Sequence, residues 1–169
     1  MLFRSAGLLN SFKVHGKGPK GKYDNVRIGL NSRLDTIQAA VLLAKLDVLE
    51  QEIVTRQAVA KRYDEAFGGR IQIPAVMPGS VSAYAQYCVL ADSPEQRQRV
   101  LDAMKKAEVP SLIYYPNVLH SLDAFAPYEG DGVLPNAKHY ADCNFGMPFS
   151  PYLTEADQQK VIDTVLGAL

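Results

Sequence analysis

The sequence predicts an α/β fold in which one long helix leads into a small α/β module. Two observations support this fold class. Apolar residues recur at helical spacing from Leu34 to Phe67, which is typical of a long helix. Further on, the segments 84–91 and 109–115 are rich in β-branched and aromatic residues, as expected of strands. With 169 residues, 47% of them hydrophobic, the chain is long enough to bury a core.

The long helix is predicted to begin at Asn31 or Ser32, where a side-chain oxygen can cap the first turn, and Asp35 suits the positive end of the helix dipole. Its first half carries apolar residues on two sides, so we expect other protein to cover both sides. The two apolar stripes are Leu34-Ile37-Val41-Val48 and Leu42-Leu46-Leu49-Ile53.

The second half of the helix keeps a single apolar stripe, formed by Ile53, Ala60, Tyr63 and Phe67. Gly68-Gly69 follows this stripe and should end the helix. We therefore expect this half to pack one face on a core and to expose the other.

The α/β module begins with a strand predicted over 84–91. A capping box at 93–96, with Pro94 at the first helical position, then opens a helix. A second strand is predicted over 109–115 and a third over 143–147. The predicted buried face of the first helix consists of Val100, Leu101 and Met104.

The rest of the module is a loop-rich stretch and a final helix. Residues 116–135 contain Pro127, Gly130, Gly132 and Pro135, which favour loops. The final helix is predicted to start after the N-cap Thr154. Its predicted buried residues are Val161, Ile162, Val165, Leu166 and Leu169.

Composition argues against two classes of partner. The chain carries 18 Lys or Arg and 18 Asp or Glu residues, and no basic run interleaved with aromatics favours a nucleic acid. The longest apolar stretch, 41–49, is interrupted by Lys45 and Asp47 and is far shorter than the ~20 residues that a membrane span needs. We therefore expect neither nucleic acid nor a membrane as a partner.

Cys88 and Cys143 stand far apart without paired spacing, which favours packed thiols in a reducing cytoplasm. His139 lies one helical turn before Cys143, so the two could share a metal ion. No third or fourth ligand accompanies them, and a histidine beside a buried thiol is the favoured interpretation. The sequence thus predicts a cytoplasmic protein without a metal site.

The glycine-rich run 16–22 has the spacing of a phosphate-binding P-loop up to Lys22. The next residue is Tyr23 where Ser or Thr should bind magnesium, Pro19 removes an amide donor, and no helix opens directly afterwards. A flexible basic loop is therefore favoured. No Ser, Cys or His stands in a nucleophile motif such as Gly-x-Ser-x-Gly, so a hydrolase has no support.

The stretch from Lys22 to Leu46 is the most informative part of the sequence. A polar loop marked by Gly29 exposes two arginines and two asparagines and runs straight into the long helix, which would aim its side chains. A second candidate is Tyr114-Tyr115-Pro116 followed by His120, where phenols and an imidazole meet at a strand end. These residues suit either a binding site or an amphipathic rim.

The first five residues, from Met1 to Ser5, match what a common sequencing-adapter tail would encode in frame. We therefore expect Met1 to be an artefact and the chain to be the carboxyl-terminal part of a longer protein. A natural, divergent N-terminus is the alternative.

An ordered set of short motifs carries a family resemblance. The motifs are Lys22-Tyr23-Asp24, Gly29 to Asp35, Gln38-Ala39-Ala40, Lys45-Leu46, Arg56, Arg62-Tyr63, Tyr114-Tyr115-Pro116, Leu119-His120, Met147-Pro148 and Pro151. Together they resemble the carboxyl-terminal half of DegT/DnrJ-type sugar aminotransferases, fold-type I pyridoxal-phosphate enzymes that act on nucleotide-linked ketosugars. The likeness covers residues 10–169, and an ordered set over such a span is more specific than any single motif.

The resemblance implies the small C-terminal domain of a fold-type I aminotransferase: a long interface helix followed by a small, mainly antiparallel sheet with helices packed on it. It assigns residues 1–5 to the adapter and residues 6–31 to a remnant and site loop of the missing large domain. Residues 32–68 would be the interface helix and residues 69–169 the small domain.

The resemblance further implies a homodimer whose active sites are completed by loops of the partner subunit. Asn31 matches an asparagine that reaches the cofactor phosphate of the other subunit, where a neutral amide can donate to a dianion. Arg33 would face the sugar. Because residues 28–46 resemble members acting on UDP-linked 3-keto uronic acids, a sugar carboxylate is its expected partner. The alternative for Arg33 is a structural ion pair with Asp35 or Asp24.

Four further residues are implied to line the substrate site. Tyr23, Tyr114 and Tyr115 would lie near the nucleotide diphosphate and the sugar. His120 is a weaker candidate for the same wall.

The family's catalytic lysine, which forms a Schiff base with the cofactor, has no counterpart in this chain. It lies upstream of the position of His15-Gly16, as does the aspartate that holds the pyridine nitrogen. No catalytic residue is therefore assigned here, and the chain alone should not transaminate. Four nearby lysines fall after the position where the catalytic lysine belongs, and none of them is assigned its role: Lys13, Lys17, Lys20 and Lys22.

The expected parent is a glutamate-dependent enzyme of amino-sugar and surface-polysaccharide biosynthesis. Two rivals stay open on the sequence alone. One is a non-catalytic module that binds a nucleotide-sugar or dimerises, and the other is a regulatory protein that senses the cofactor without turnover.

Overall fold

The computed structural model of the chain describes residues 2–21, 23–128 and 134–169. Met1, Lys22 and the loop residues Gly130 and Gly132, which the sequence analysis names, lie outside the described residues. Contacts divide the chain into a first unit that ends at Val48 and a second that begins at Leu49. In order, the elements are α1 Leu2–Phe12, α2 Thr36–Phe67, β1 Tyr87–Leu90, α3 Pro94–Lys106, two 3-10 turns at Leu119–Ser121 and Asp123–Tyr128, α4 Pro135–Cys143, β2 Asn144–Met147 and α5 Glu155–Leu166.

Helix α1 was not predicted from the sequence. It has no acidic residue in its first turn and no basic residue in its last, so the usual terminal signals of a helix are missing. Beyond it, two isolated bridges pair Val14 with Asn31 and Lys17 with Asn25. Gly16 lies in this turn at a φ of 73°, a conformation that favours glycine.

The start of α2 corrects the sequence prediction, because the helix begins at Thr36 and not at residue 31 or 32. Ser32 donates its backbone N–H to Lys13 O at 2.9 Å, and Asn31 is bridged to Val14. These bonds keep both residues extended. Asp35 caps the helix instead, since its Oδ1 accepts the N–H of Ile37 at 2.9 Å.

Apolar side chains in the first half of α2 are exposed in the part of the chain that the structure describes. Ile37 of the first predicted stripe is 77% exposed, and Leu46 of the second is 60% exposed. The exposed apolar residues between positions 34 and 49 are Leu34, Ile37, Val41, Leu42, Leu43, Leu46, Val48 and Leu49. A continuous apolar surface of this kind indicates a contact with other protein.

We expect the isolated chain to self-associate at micromolar concentration, because exposed apolar surface of this extent drives association. Replacing Ile37, Val41 and Leu43 together with glutamine should shift light scattering toward the monomer mass. Val54→Gln is the matched control, since Val54 is also exposed, at 62%, but lies in the second half of the helix. A monodisperse wild-type monomer at high micromolar concentration would contradict this expectation.

The second half of α2 packs as the sequence predicts. Val59, Ala60, Tyr63 and Phe67 are buried. Tyr63 donates its hydroxyl to Pro148 O at 2.8 Å, and Gln158 of α5 donates its side-chain amide to Val59 O at 2.7 Å. These bonds tie the helix to both sides of the β2–α5 connection.

Glu52 is a buried charge on α2 that the sequence did not predict. Its Oε1 accepts the hydroxyl of Tyr152 at 2.6 Å, and its Oε2 lies 3.1 Å from the guanidinium of Arg56. Because both carboxylate oxygens have partners, these contacts offset the free-energy cost of burying the charge.

The sheet has two antiparallel strands in the described residues, with Tyr87 opposite Met147 and Leu90 opposite Asn144. This confirms the small antiparallel sheet. The prediction of a strand over 109–115 is wrong, because that segment meets β2 only at an isolated bridge between Leu112 and Gly146. Proline at position 110 has no N–H to add to a ladder.

Helices α3 and α5 confirm their predicted caps. The Ser93 hydroxyl accepts the N–H of Gln96 at 3.2 Å, and the Thr154 hydroxyl accepts the N–H of Asp157 at 3.1 Å. Both helices bury apolar faces in the core of the second unit. The buried residues on these faces are Val100, Met104, Val161, Ile162 and Val165.

Helix α4 occupies the end of the stretch that the sequence assigned to a loop and the residues before β2. Pro135 stands in its first turn, a position that tolerates proline. Arg97 of α3 donates to Ala141 O at 2.8 Å and so holds α4 in place. In the described residues, no helix combines the length and apolar character needed to cross a bilayer.

Candidate functional site

In the first unit, the predicted residues Asn31 and Arg33 lie together at the start of α2. They line a cleft of about 430 Å³ with Leu34, Asp35 and Thr36. The guanidinium of Arg33 donates from Nη2 to Oδ1 of Asn31 at 3.2 Å. The cleft therefore presents an amide and a guanidinium side by side, a donor set suited to an anion.

The loop before α2 holds this pair in a defined place. His15 donates its N–H to Leu30 O at 2.8 Å, and Ser32 donates to Lys13 O at 2.9 Å, one on each side of Asn31. Because the backbone on both sides is tied down, Asn31 is presented by an anchored segment.

The ion pairs that were the alternative for Arg33 do not form in the described residues. Oδ1 of Asp35 accepts the N–H of Ile37, and Oδ2 of Asp24 accepts the N–H of Lys20 at 2.9 Å. Each carboxylate caps backbone, and Arg33 is exposed with Asn31 as its bonded neighbour. The charge of Arg33 is thus available to a ligand.

Tyr23 belongs to the same unit but does not line the cleft of Asn31 and Arg33. Its side chain is 86% exposed.

The glycine-rich loop before Tyr23 is arranged unlike a phosphate-binding P-loop. Gly18 donates its N–H to Asp24 O at 2.6 Å, and Asp24 takes the N–H of Lys20, so these amides already have protein acceptors.

In the second unit, Tyr114, Tyr115 and His120 line one cleft of about 370 Å³. The two phenol rings stand at 88° to each other with centroids 6.1 Å apart. Such an edge-to-face pair offers two ring surfaces and two hydroxyls to a ligand. The other lining residues are Asn117, Val118, Leu119, Leu134, Ala137, Tyr140, Ala141 and Asn144.

Tyr114 also lines a neighbouring cleft of about 370 Å³, together with Cys88 and Gln72. Burial raises the pKa of the Cys88 thiol. A thiol with a raised pKa stays protonated at neutral pH and is a poor nucleophile. This neighbouring cleft therefore lacks the character of a thiol-based catalytic site.

The predicted pair of His139 and Cys143 is present, with 3.6 Å between Nδ1 and Sγ. Cys143 is fully buried, and burial is the main cause that raises its pKa. In the described part of the chain, no three His, Cys, Asp or Glu side chains gather as a metal site would require.

Asn144 is the residue of the second cleft that the sequence analysis missed. It is buried at the start of β2, and its amide bonds both Tyr114 and Tyr140. An asparagine at the edge of an apolar segment carries no signal of its own, because its partner Tyr114 lies 30 positions earlier in the sequence.

Comparisons with known proteins agree on one family. The model of the DegT/DnrJ/EryC1/StrS aminotransferase family matches residues 4–166. The chain is 39% identical over 140 residues to a UDP-2-acetamido-2-deoxy-3-oxo-D-glucuronate aminotransferase of Pseudomonas aeruginosa, covering 82% of this chain and 38% of the relative.

Solved structures give the same result. A DegT DnrJ EryC1 StrS aminotransferase from Brucella abortus superposes with a TM-score of 0.88 at 42% identity, over 97% of this chain and 43% of that one. DesV of S. venezuelae, solved in complex with a ketimine intermediate, has a TM-score of 0.84 at 29% identity, over 95% and 43%. The chain thus spans roughly two fifths of the length of these relatives.

Proposed function

Because this chain belongs to the DegT/DnrJ/EryC1/StrS aminotransferase family, we propose that it is the carboxyl-terminal part of an enzyme that aminates a nucleotide-linked 3-keto uronic acid with glutamate as donor. Enzymes of this family are pyridoxal-phosphate-dependent sugar aminotransferases. The observation that carries the substrate class is Arg33, an exposed guanidinium with no carboxylate partner in the described residues.

The donor set at the start of α2 fits a phosphorylated cofactor. Oδ1 of Asn31 is occupied by Arg33, which leaves the amide nitrogen of Asn31 to donate outward. A neutral amide can bind the cofactor phosphate without neutralising its charge. When bound, pyridoxal phosphate carries the amino group and withdraws electrons from the reacting carbon. Asn31 would hold the phosphate of the cofactor that is bound in the partner subunit.

Arg33 would select the sugar. A guanidinium binds a carboxylate through two parallel hydrogen bonds, whereas a hydroxymethyl group offers one weaker acceptor. The Pseudomonas relative, 39% identical, is named for a 3-oxo-glucuronate sugar, which supports a uronic acid here. The chemistry of Arg33 and the likeness therefore point to the same substrate class.

The cleft of Tyr114, Tyr115 and His120 is proposed for the nucleotide diphosphate and the sugar. Tyr23 of the first unit is proposed separately as a substrate-binding residue. Perpendicular phenol rings can stack on a planar base or a sugar face. Phenol hydroxyls and an imidazole can donate to diphosphate oxygens. A UDP-linked sugar is the proposed ligand.

We further propose a cytoplasmic homodimer with shared active sites, acting in surface-polysaccharide biosynthesis. The exposed apolar first half of α2 supports a protein contact there. In this proposal, residues 6–31 complete a large domain, helix α2 from Thr36 to Phe67 is the interface helix and residues 69–169 form the small domain.

The isolated chain should not transfer amino groups, because the resemblance places the Schiff-base lysine upstream of His15. After incubation with pyridoxal phosphate and reduction with borohydride, mass spectrometry should find no stoichiometric, site-specific adduct. A stoichiometric adduct on one lysine of this chain would contradict the assignment.

The upstream gene sequence and the longer product test the whole proposal. An open reading frame that continues through Met1 into a lysine-bearing domain supports it. That product should aminate a UDP-linked 3-keto uronic acid with glutamate. A ribosome-binding site directly before Met1 would instead support a stand-alone, non-catalytic module.

A further inference from the structure

The side chain of Asn144 is buried at the first position of β2, with 6% of its surface exposed. Its Oδ1 accepts the backbone N–H of Tyr114 at 3.0 Å, and its Nδ2 donates to the backbone oxygen of Tyr140. One amide thus joins the last turn of α4, the start of β2 and the segment that carries the two phenols.

The bond to Tyr114 replaces a strand ladder. The segment 110–116 begins and ends with proline, and it meets β2 where Gly146 donates its N–H to Leu112 O at 2.6 Å. Two residues later, the N–H of Tyr114 bonds to the side chain of Asn144 rather than to a backbone oxygen. Asn144 therefore fixes the backbone just where the tyrosines begin.

The ring of Tyr114 is held by the same strand. A Cβ at position 146 would lie 2.9 Å from Cε2 of Tyr114, so glycine at that position allows the ring to lie against β2. Backbone and ring of Tyr114 are thus both positioned by β2, through Asn144 and Gly146.

Burying an asparagine side chain in a strand is unfavourable unless its polar groups form hydrogen bonds. Asparagine is disfavoured in strands, and an apolar residue of similar shape can be buried at no cost in polar groups. The other residues of β2 include Phe145 and Met147, which are buried in the core. The partners of the Asn144 amide supply that reason, because the amide orders a segment with few backbone bonds to the sheet.

We propose that Asn144 is a positioning residue for the cleft of Tyr114, Tyr115 and His120. By holding the Tyr114 backbone, it keeps the two phenols in their perpendicular arrangement, ready for a nucleotide-linked ligand. The inference rests on the proposed function, since that function makes this cleft a substrate site. Without the amide of Asn144, the Tyr114 N–H would hydrogen-bond to water instead. The two phenols would then lose their fixed orientation.

Three variants of the full-length protein test this role. Asn144→Leu keeps the shape of the side chain and removes both hydrogen bonds. Asn144→Asp keeps an acceptor for the N–H of Tyr114. Val165→Ala is the stability control, because Val165 is fully buried in α5 and does not contact the cleft.

Hydrogen exchange of the Tyr114 amide is the first measurement. We expect Asn144→Leu to speed this exchange about tenfold beyond any change in the Val89 amide of β1, because a native hydrogen bond is what slows it. Asn144→Asp should retain most of the protection. Equal acceleration at Tyr114 in Asn144→Leu and Val165→Ala would show that Asn144 supports only global stability.

Binding of UDP is the second measurement. Asn144→Leu should raise the Kd for UDP about tenfold, and Asn144→Asp should raise it less than about threefold. When Tyr114 and Tyr115 are both alanine, Asn144→Leu should no longer change the Kd, because its effect passes through those rings.

The outcomes separate the two proposals. Failure of the wild-type protein to bind UDP would overturn the proposed function. Normal UDP binding in Asn144→Leu, or unchanged exchange at Tyr114, would overturn the positioning role alone. The positioning role would also be overturned if Asn144→Leu changed the Kd for UDP just as much in the protein in which Tyr114 and Tyr115 are both alanine.

Discussion

Asn31→Asp is expected to weaken cofactor binding in the full-length enzyme far more than Asn31→Ala. The alanine variant loses one hydrogen bond to a charged acceptor, about 1.5–3 kcal/mol. The aspartate variant sets an anion against a phosphate, which costs on the order of 4 kcal/mol for unit charges about 4 Å apart at an effective dielectric constant of about 20. Spectrophotometric titration with pyridoxal phosphate measures the cofactor affinity of both variants.

The structure adds a second consequence of Asn31→Asp. The Arg33 guanidinium already lies 3.2 Å from Oδ1 of Asn31, so a carboxylate there would pair with it. The new ion pair would withdraw Arg33 from the sugar as well. Equal cofactor affinity in the alanine and aspartate variants would place Asn31 away from the phosphate.

Mixed dimers test whether Asn31 acts across the subunit boundary. Subunits that carry only Asn31→Asp are combined with subunits that lack only the catalytic lysine. If Asn31 serves the partner's site, each heterodimer has one doubly damaged site and one intact site, and activity partly recovers. No recovery, with heterodimers verified by mass spectrometry, would place Asn31 in its own subunit's site or outside the site.

Arg33→Ala is expected to lower kcat/KM for a uronic acid substrate. The loss of transition-state stabilisation should be about 1.5–3 kcal/mol, the range of hydrogen bonds to charged groups. The analogue with a neutral hydroxymethyl group should be almost unaffected. Arg33→Lys keeps the charge but loses the two-pronged geometry, so its loss should be intermediate. Equal losses on both substrates would show that Arg33 supports structure or cofactor binding instead.

Local signals in the sequence predicted much of the second unit. The caps at Ser93 and Thr154 formed as expected, because a cap depends on residues three positions apart. The single apolar stripe ending at Phe67 was equally predictable, since helical periodicity is local. The family motifs added Asn31 and Arg33, which the structure brings together in one cleft.

Long-range hydrogen bonds decided what the sequence could not. Helix α2 starts at Thr36 because residues 31 and 32 are held extended by Val14 and Lys13, far back in the chain. The segment 109–115 fails as a strand because it meets β2 at a single bridge, and Asn144 takes the N–H of Tyr114. Sequence by itself determined helices α3 and α5 with their caps, the buried second half of α2 and the family, since these depend on local pattern and motif order. Only tertiary structure decided where α2 begins and which residue holds the phenols, because those bonds join residues 15 to 30 positions apart.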